Sequence, residues 1–165
     1  MNPLTADDSL TLSNALAQAA HPADVYRAVQ QVLAARLGFG LFTLLVLTPD
    51  GQEVQRVYST NVQAYPLAGS KRMGPTPWGD LVLTRRQGFV GCDAAAIRWA
   101  FPDHELIASL GLGCAINVPI VAMGRVLGTM NLLDAPGRYK SDDIEIVQSV
   151  APILVAPFLR ELKGF

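Results

Sequence analysis

Cys114-Ala-Ile-Asn-Val-Pro-Ile-Val-Ala-Met-Gly-Arg-Val-Leu-Gly-Thr-Met-Asn-Leu-Leu-Asp134 holds two apolar runs, rich in β-branched residues, on either side of Met123-Gly124. A glycine there supplies the positive φ that a two-residue hairpin loop demands, so the stretch predicts a β-hairpin. Counting outward from the loop pairs Ile120 with Leu127, Pro119 with Gly128, Val118 with Thr129, Asn117 with Met130 and Ile116 with Asn131. Neither run alternates between apolar and polar residues. Both strands are therefore expected in the middle of a sheet, covered on both faces. Asn117 and Asn131 stand out, because an amide among Ile, Val, Leu and Met is costly unless it finds partners. In this register the two point to opposite faces, so at most one lines any given side.

Upstream, Leu10, Leu12, Ala15, Leu16 and Ala19 recur at helical spacing between Asp7 and Ala20, with Asp7 and Asp8 suited to a cap and first turn. A second helix should start near Pro22, bury Val25, Tyr26, Val29, Val32, Leu33 and Leu37, and stop at Gly38. Leu41 to Leu47 reads as a buried strand, Thr48-Pro49-Asp50-Gly51 as a turn, and Glu53 to Ser59 as an alternating, half-exposed partner. Residues 60 to 75, with Asn61, Tyr65, Pro66, Gly69, Lys71, Arg72, Gly74 and Pro75, show little periodicity and read as a long surface loop. Thr76-Pro77-Trp78 starts a helix expected to run to about Gln87. A short strand follows over Gly88 to Cys92, then helices over Asp93 to Phe101 and, capped by Asp103, over the residues up to Leu110. After the hairpin, Ser141 is expected to cap a last helix with Asp142, Asp143 and Glu145 in its first turn. Pro152 and Pro157 should kink it.

The 165 residues are 50% hydrophobic and 16% charged, with net charge −1. That length suits one domain, 1–165, able to bury roughly two-thirds of its unfolded surface. There is no basic field for nucleic acid and no apolar run long enough to span a membrane. Met1-Asn2-Pro3-Leu4-Thr5 lacks the basic and apolar regions of a signal peptide, so the expected location is cytoplasmic. Cys92 and Cys114 fall in no metal-binding spacing and read first as two reduced, buried thiols, and no metal site is expected.

The succession of helix, helix, strand hairpin, loop with short helices, strand hairpin and terminal helix resembles the GAF domain, a relative of the PAS fold. The most specific residues are Asn117-Val118-Pro119-Ile120, Gly124-Arg125-Val126-Leu127-Gly128, Asn131-Leu132-Leu133, and Tyr139, Asp142, Asp143 and Ile144. The resemblance implies an α+β fold: a central antiparallel β-sheet, terminal helices on one face, and on the other a pocket roofed by loops and short helices from residues 60 to 111. It also implies a sensory or regulatory module in signal transduction, pairing as a homodimer through its terminal helices and signalling to a separate output protein. Cyclic-nucleotide-binding members carry a spaced Asn-Lys, Phe, Asp-Glu signature that this chain lacks. Bilin-binding members attach the chromophore through a cysteine commonly followed by histidine, whereas Asp93 follows Cys92 and Ala115 follows Cys114. Haem would need His104 or His21 as an axial ligand. The cofactor is accordingly left unassigned.

Within the implied roof, Tyr65, Trp78, Phe89, Trp99 and Phe101 offer aromatic area, and Asp93 and His104 offer polar groups. Together with Asn117 and Asn131 these are the candidate contacts for a small organic ligand. Such an aromatic cluster under a loop is more often satellite core, which would leave a dimerisation or interaction domain without a ligand. A third reading comes from free methionine-R-sulfoxide reductase, a family with the same fold that attacks the sulfoxide with a cysteine thiolate and resolves it with a second cysteine. Cys92 and Cys114 are the candidate pair.

Overall fold

The computed structural model describes residues 3–67 and 70–162, so the expectations that touch Met1, Asn2 and Gly69 lie outside it. Helix α1 (Ala6–Gln18) is opened by Thr5, not by an aspartate. The Thr5 hydroxyl accepts from the Asp8 amide at 3.2 Å and the Asp8 carboxylate accepts from the Thr5 amide at 2.7 Å, which satisfies two free donors reciprocally. Helix α2 (Pro22–Arg36) begins at its proline and ends before Gly38, whose φ of +80° suits glycine.

Strands β1 (Leu41–Leu47), β2 (Glu53–Ser59), β3 (Ser70–Arg72), β4 (Phe89–Gly91), β5 (Cys114–Ala122) and β6 (Arg125–Asp134) form one antiparallel sheet in the order β3-β2-β1-β6-β5-β4. β5 and β6 each have a neighbour on both sides and are buried along most of their length, as their unbroken apolar pattern demands. The expected loop over 60 to 75 contains β3, an exposed three-residue edge strand too short and polar to announce itself.

The hairpin turns at Met123 and Gly124, with φ of +50° and +81°, the signature of a type I′ turn. Its register departs from the simple count. Val121 pairs with Val126, but Ile120 pairs with Gly128, leaving Leu127 as the extra residue of a β-bulge. Every pair beyond the bulge is displaced by one, so Asn117 faces Asn131 and the two amides share a face. A second bulge, at Val57 of β2, sets Tyr58 opposite Leu44 and Arg56 opposite Leu45. Side chains that would otherwise share a face are sent to opposite ones.

Helices α1 and α2 pack on one face of the sheet with α6 (Ile144–Val150) and α7 (Val155–Glu161). There Val29, Leu33, Val147, Leu154 and Phe158 meet Phe42, Leu44, Ile116 and Met130 in the main core. Pro152 lies in a 3₁₀ segment, Ala151–Leu154, that interrupts the terminal helix where its missing donor breaks the α-helical ladder. Ser141 does not cap that helix. The Lys140 amide donates to Asp143 at 2.7 Å ahead of a single 3₁₀ turn, Ser141–Asp143.

On the other face lie α3 (Pro77–Gly79), α4 (Ala94–Ala100) and α5 (His104–Ser109). Thr76 caps α3 by accepting from the Gly79 amide at 2.9 Å. The helix expected to reach Gln87 widens instead into a π turn, Asp80–Thr84, and ends where Arg86 takes a φ of +57°. No helix among the described residues is long and apolar enough to cross a membrane.

Candidate functional site

The face of the sheet away from the terminal helices carries Leu41, Thr43 and Leu45 of β1, Val54 and Arg56 of β2, and Asn131 and Leu133 of β6. These floor a cavity of about 360 Å³. Its walls come from Tyr65, Met73 and Thr76 of the long loop, Trp78 of α3, and Ala100, Phe101, Asp103 and Ile107 on and between α4 and α5. The volume falls within the range of small-molecule sites.

A buried polar chain runs across the floor. The Trp78 indole Nε1 donates to Asn117 Oδ1 at 3.0 Å, Asn117 Nδ2 donates to Asn131 Oδ1 at 2.8 Å, and Asn131 Nδ2 donates to the Thr129 hydroxyl at 3.2 Å. An indole nitrogen is a donor only, so Asn117 must turn its oxygen toward Trp78, which fixes the sense of every later link. Asn131 Nδ2 also lies 3.4 Å from the Thr43 carbonyl and hydroxyl oxygens. Each amide thus has the partners that burial requires, and the chain ties the roof at Trp78 to the sheet.

The far end of the cavity is charged. The Arg56 guanidinium sits 5.0 Å from the centre of the Tyr65 ring, and its Nη1 donates to the Pro66 carbonyl at 3.1 Å. Its Nε is buried with no acceptor among the described residues. Tyr65 donates its hydroxyl to Asp103 at 2.8 Å. Burial and that carboxylate hold the phenol above its ordinary pKa, so it remains a donor. Burial draws the Arg56 pKa below its usual value against the opposing fields of Tyr65 and Asp103, and the guanidinium stays protonated. Lys71, opposite Val54 on β3, and Arg72 stand exposed beside the opening. No cluster of three or more His, Cys, Asp or Glu side chains suited to a metal ion occurs among the described residues.

The GAF domain family model matches residues 19–155. The chain belongs to the GAF domain family. No curated protein sequence matches it. Among solved structures, it is similar to the GAF domain of a phosphoenolpyruvate-protein phosphotransferase from Coxiella burnetii, with 15% identity, a TM-score of 0.73 and 96% of each chain covered. It is also similar to free methionine-R-sulfoxide reductase from Neisseria meningitidis in complex with its substrate, with 17% identity, a TM-score of 0.67, and 100% of this chain and 98% of that one covered. A third similar structure is a far-red absorbing dark state with bound biliverdin, with 12% identity, a TM-score of 0.64, and 94% and 99% covered. At these identities the likeness is one of fold.

Within this GAF domain, Tyr65, Trp78, Phe101 and Asn131 stand at the cavity wall, and Asn117 lies behind them, holding Trp78. The other expected contacts lie elsewhere. Phe89 is buried in a smaller core on the roof side of the sheet, among Trp78, Val82, Ile97 and Ile107, with Trp99 stacked on it at 5.5 Å and Phe101 edge-on at 6.5 Å. Trp99 turns outward and is 46% exposed. Asp93 is spent as the cap of α4, accepting from the Ala96 amide at 2.8 Å. His104 opens α5 away from the cavity, and Asp103 binds Tyr65 in place of capping that helix. Arg56, Thr43 and Met73 were not foreseen as site residues. Arg56 shares the cavity face with Val54, and the bulge at Val57 sends Tyr58, which simple alternation would place beside it, to the other face.

The cysteines are not two reduced thiols: Cys92 and Cys114 are joined in a disulfide. They meet because Gly91 pairs with Ala115, which puts the next residue of one strand opposite the preceding residue of the other. Alternation places Cys114 with Ile116 and Val118, on the helix-covered face. The bridge therefore lies behind the sheet from the cavity, and neither cysteine lines it.

Proposed function

We propose that this GAF domain binds a small organic molecule in the cavity between sheet and roof and acts as a sensory module in signal transduction. The observation that carries the reading is the cavity itself: an apolar, partly aromatic enclosure with Arg56, Asp103, Thr43 and Asn131 converging on it. Area there supplies affinity and the few polar groups supply orientation. Occupancy would bear on Trp78, and through the amide chain on the strands that carry the terminal helices on their reverse side. Pairing through those helices, where Leu10 of α1 is 59% exposed, would pass the state to a second copy and on to an output partner in the cytoplasm.

Thiol reduction in the cavity has no comparable support, because the cysteine bridge sits on the opposite face of the sheet. A closed interaction domain fits poorly with an interior this empty.

Native mass spectrometry of the purified protein tests the proposal. The expected spectrum shows a dimer with a retained or added small molecule, and Ala100→Phe, which fills the cavity, loses it. A wild-type protein that takes up nothing from a fragment library, or an Ala100→Phe variant that binds as well as wild type, would overturn the reading.

A further inference from the structure

Resting on that reading, we propose that the ligand is a small organic carboxylate, its anionic group held by Arg56 and its apolar body packed against Trp78 and Phe101. Of the charged side chains lining the cavity, Arg56, Lys71 and Arg72 are cationic and Asp103 alone is anionic. Lys71 and Arg72 stand at the opening, where their field steers an anion inward. Arg56 lies deeper, on the sheet floor between Leu45 and the loop that carries Tyr65.

The hydrogen bonding of Arg56 is incomplete. Nη1 is taken by the Pro66 carbonyl, and Nε is buried with no acceptor among the described residues. Asp103, the carboxylate on the same side of the cavity, forms no ion pair with Arg56 within 4 Å, its Oδ2 being engaged by Tyr65 instead. A buried guanidinium donor left open is a cost that an incoming acceptor relieves. The Nε and Nη2 edge is the one a carboxylate grips with two parallel hydrogen bonds. Because Nε is shut off from solvent, that grip requires the guanidinium to rotate from the Tyr65 ring toward the cavity.

Asp103 narrows the class further. It accepts from the Tyr65 hydroxyl and so leaves the Arg56 guanidinium as the charged donor on the sheet floor, which an amine would meet with repulsion and an anion with attraction. The apolar walls beyond, Leu41, Ile107, Leu133, Trp78 and Phe101, ask for a hydrocarbon or aromatic body.

The test titrates the full chain with four probes of matched shape, namely phenylacetate, 2-phenylethanol, phenethylamine and phenyl phosphate, while following the Trp78 indole and Asn131 amide resonances by NMR. Phenylacetate is expected to bind about tenfold or more tighter than 2-phenylethanol and phenethylamine, and at least as tightly as phenyl phosphate, whose tighter binding would overturn the carboxylate assignment in favour of a phosphate. Arg56→Met should remove that preference, Arg56→Lys should keep part of it, and thermal melts of the free variants should show that both fold. Equal affinity for phenylacetate and 2-phenylethanol would overturn the assignment while leaving cavity binding intact, as would a folded Arg56→Met variant that keeps the preference. A neutral molecule retained in the native mass spectrum would do the same. Failure of all four probes to move the cavity resonances would overturn it as well, and whether the broader ligand-binding reading survives is then decided separately by the fragment and Ala100→Phe result.

Discussion

Asn117 and Asn131 face each other across β5 and β6 and are joined by a hydrogen bond of 2.8 Å. The contact exists because Leu127 bulges out of β6, shifting the strand by one residue so that two amides otherwise assigned to opposite faces meet under Trp78. Asn117→Ala should leave the Trp78 indole N–H buried without an acceptor and open one end of the amide chain. The expected loss is about 2 kcal/mol in urea unfolding. In a double-mutant cycle Trp78→Phe should recover part of it, since no indole donor then remains. A purely additive cycle would show that the two side chains are not coupled.

Gly128 is the tightest position of the hairpin. A Cβ there would lie 2.0 Å from the Leu45 carbonyl oxygen and 2.8 Å from the Phe158 ring. The oxygen belongs to a paired strand and cannot yield without disturbing the β1–β6 ladder. Gly128→Ala should therefore cost about 3 kcal/mol, the upper end of overpacking penalties. Gly51, with nothing within 4 Å but a φ of +74°, is the control: its alanine variant suffers only the backbone term of about 1 kcal/mol. Thermal melts of the two variants make the comparison.

The disulfide ties the end of β4 to the start of β5 across a sequence separation of 22. Closing a loop of that size contributes about 3 kcal/mol where the bridge is oxidised. Reductant should lower the melting temperature of wild type and leave that of Cys92→Ser unchanged. Because the bridge lies behind the sheet, Cys92→Ser should bind phenylacetate as wild type does, and should differ from it in no turnover of free methionine sulfoxide. A loss of such turnover in Cys92→Ser would revive the reductase reading.

Asp8 links acid stability to the packing of α1 on α2. Hydrogen bonds from Arg36, at 2.7 Å to Oδ2, and from the Thr5 amide hold its carboxyl below the ordinary pKa. With the folded value depressed, the stabilisation is complete above the unfolded pKa of about 4. It disappears as the pH falls through the folded value. Wild type should thus lose more stability than Asp8→Asn between pH 5 and the acid limit, and the two curves should run parallel above about pH 5. Curves parallel throughout would show that Asp8 carries no such linkage.

What could be read from the chain was whatever is decided within a few residues. The Met123-Gly124 turn, Pro22 at a helix start, Gly38 at a helix end, Thr76 before α3 and the break near Pro152 each rest on local dihedral and capping chemistry, and each stands where expected. The unbroken apolar runs of β5 and β6 placed them at the centre of the sheet for the same reason. The resemblance carried by Asn117 to Ile120 and by Gly124 to Gly128 then extended those local facts to the family.

Three things were settled only by folding. Single-residue bulges at Val57 and Leu127 set which side chains share a face, and a bulge is stabilised by both strands and their coverings, not by the residues that form it. Asp93 is held away from the cavity by capping α4 and Phe89 by its packing beneath Trp99 and Phe101, whereas Arg56 is brought to it. The cysteines met because two strands paired, 22 residues apart and behind the cavity. Local chemistry thus named the elements, and long-range pairing chose the faces, because strand register is fixed by contacts that no short window of sequence contains.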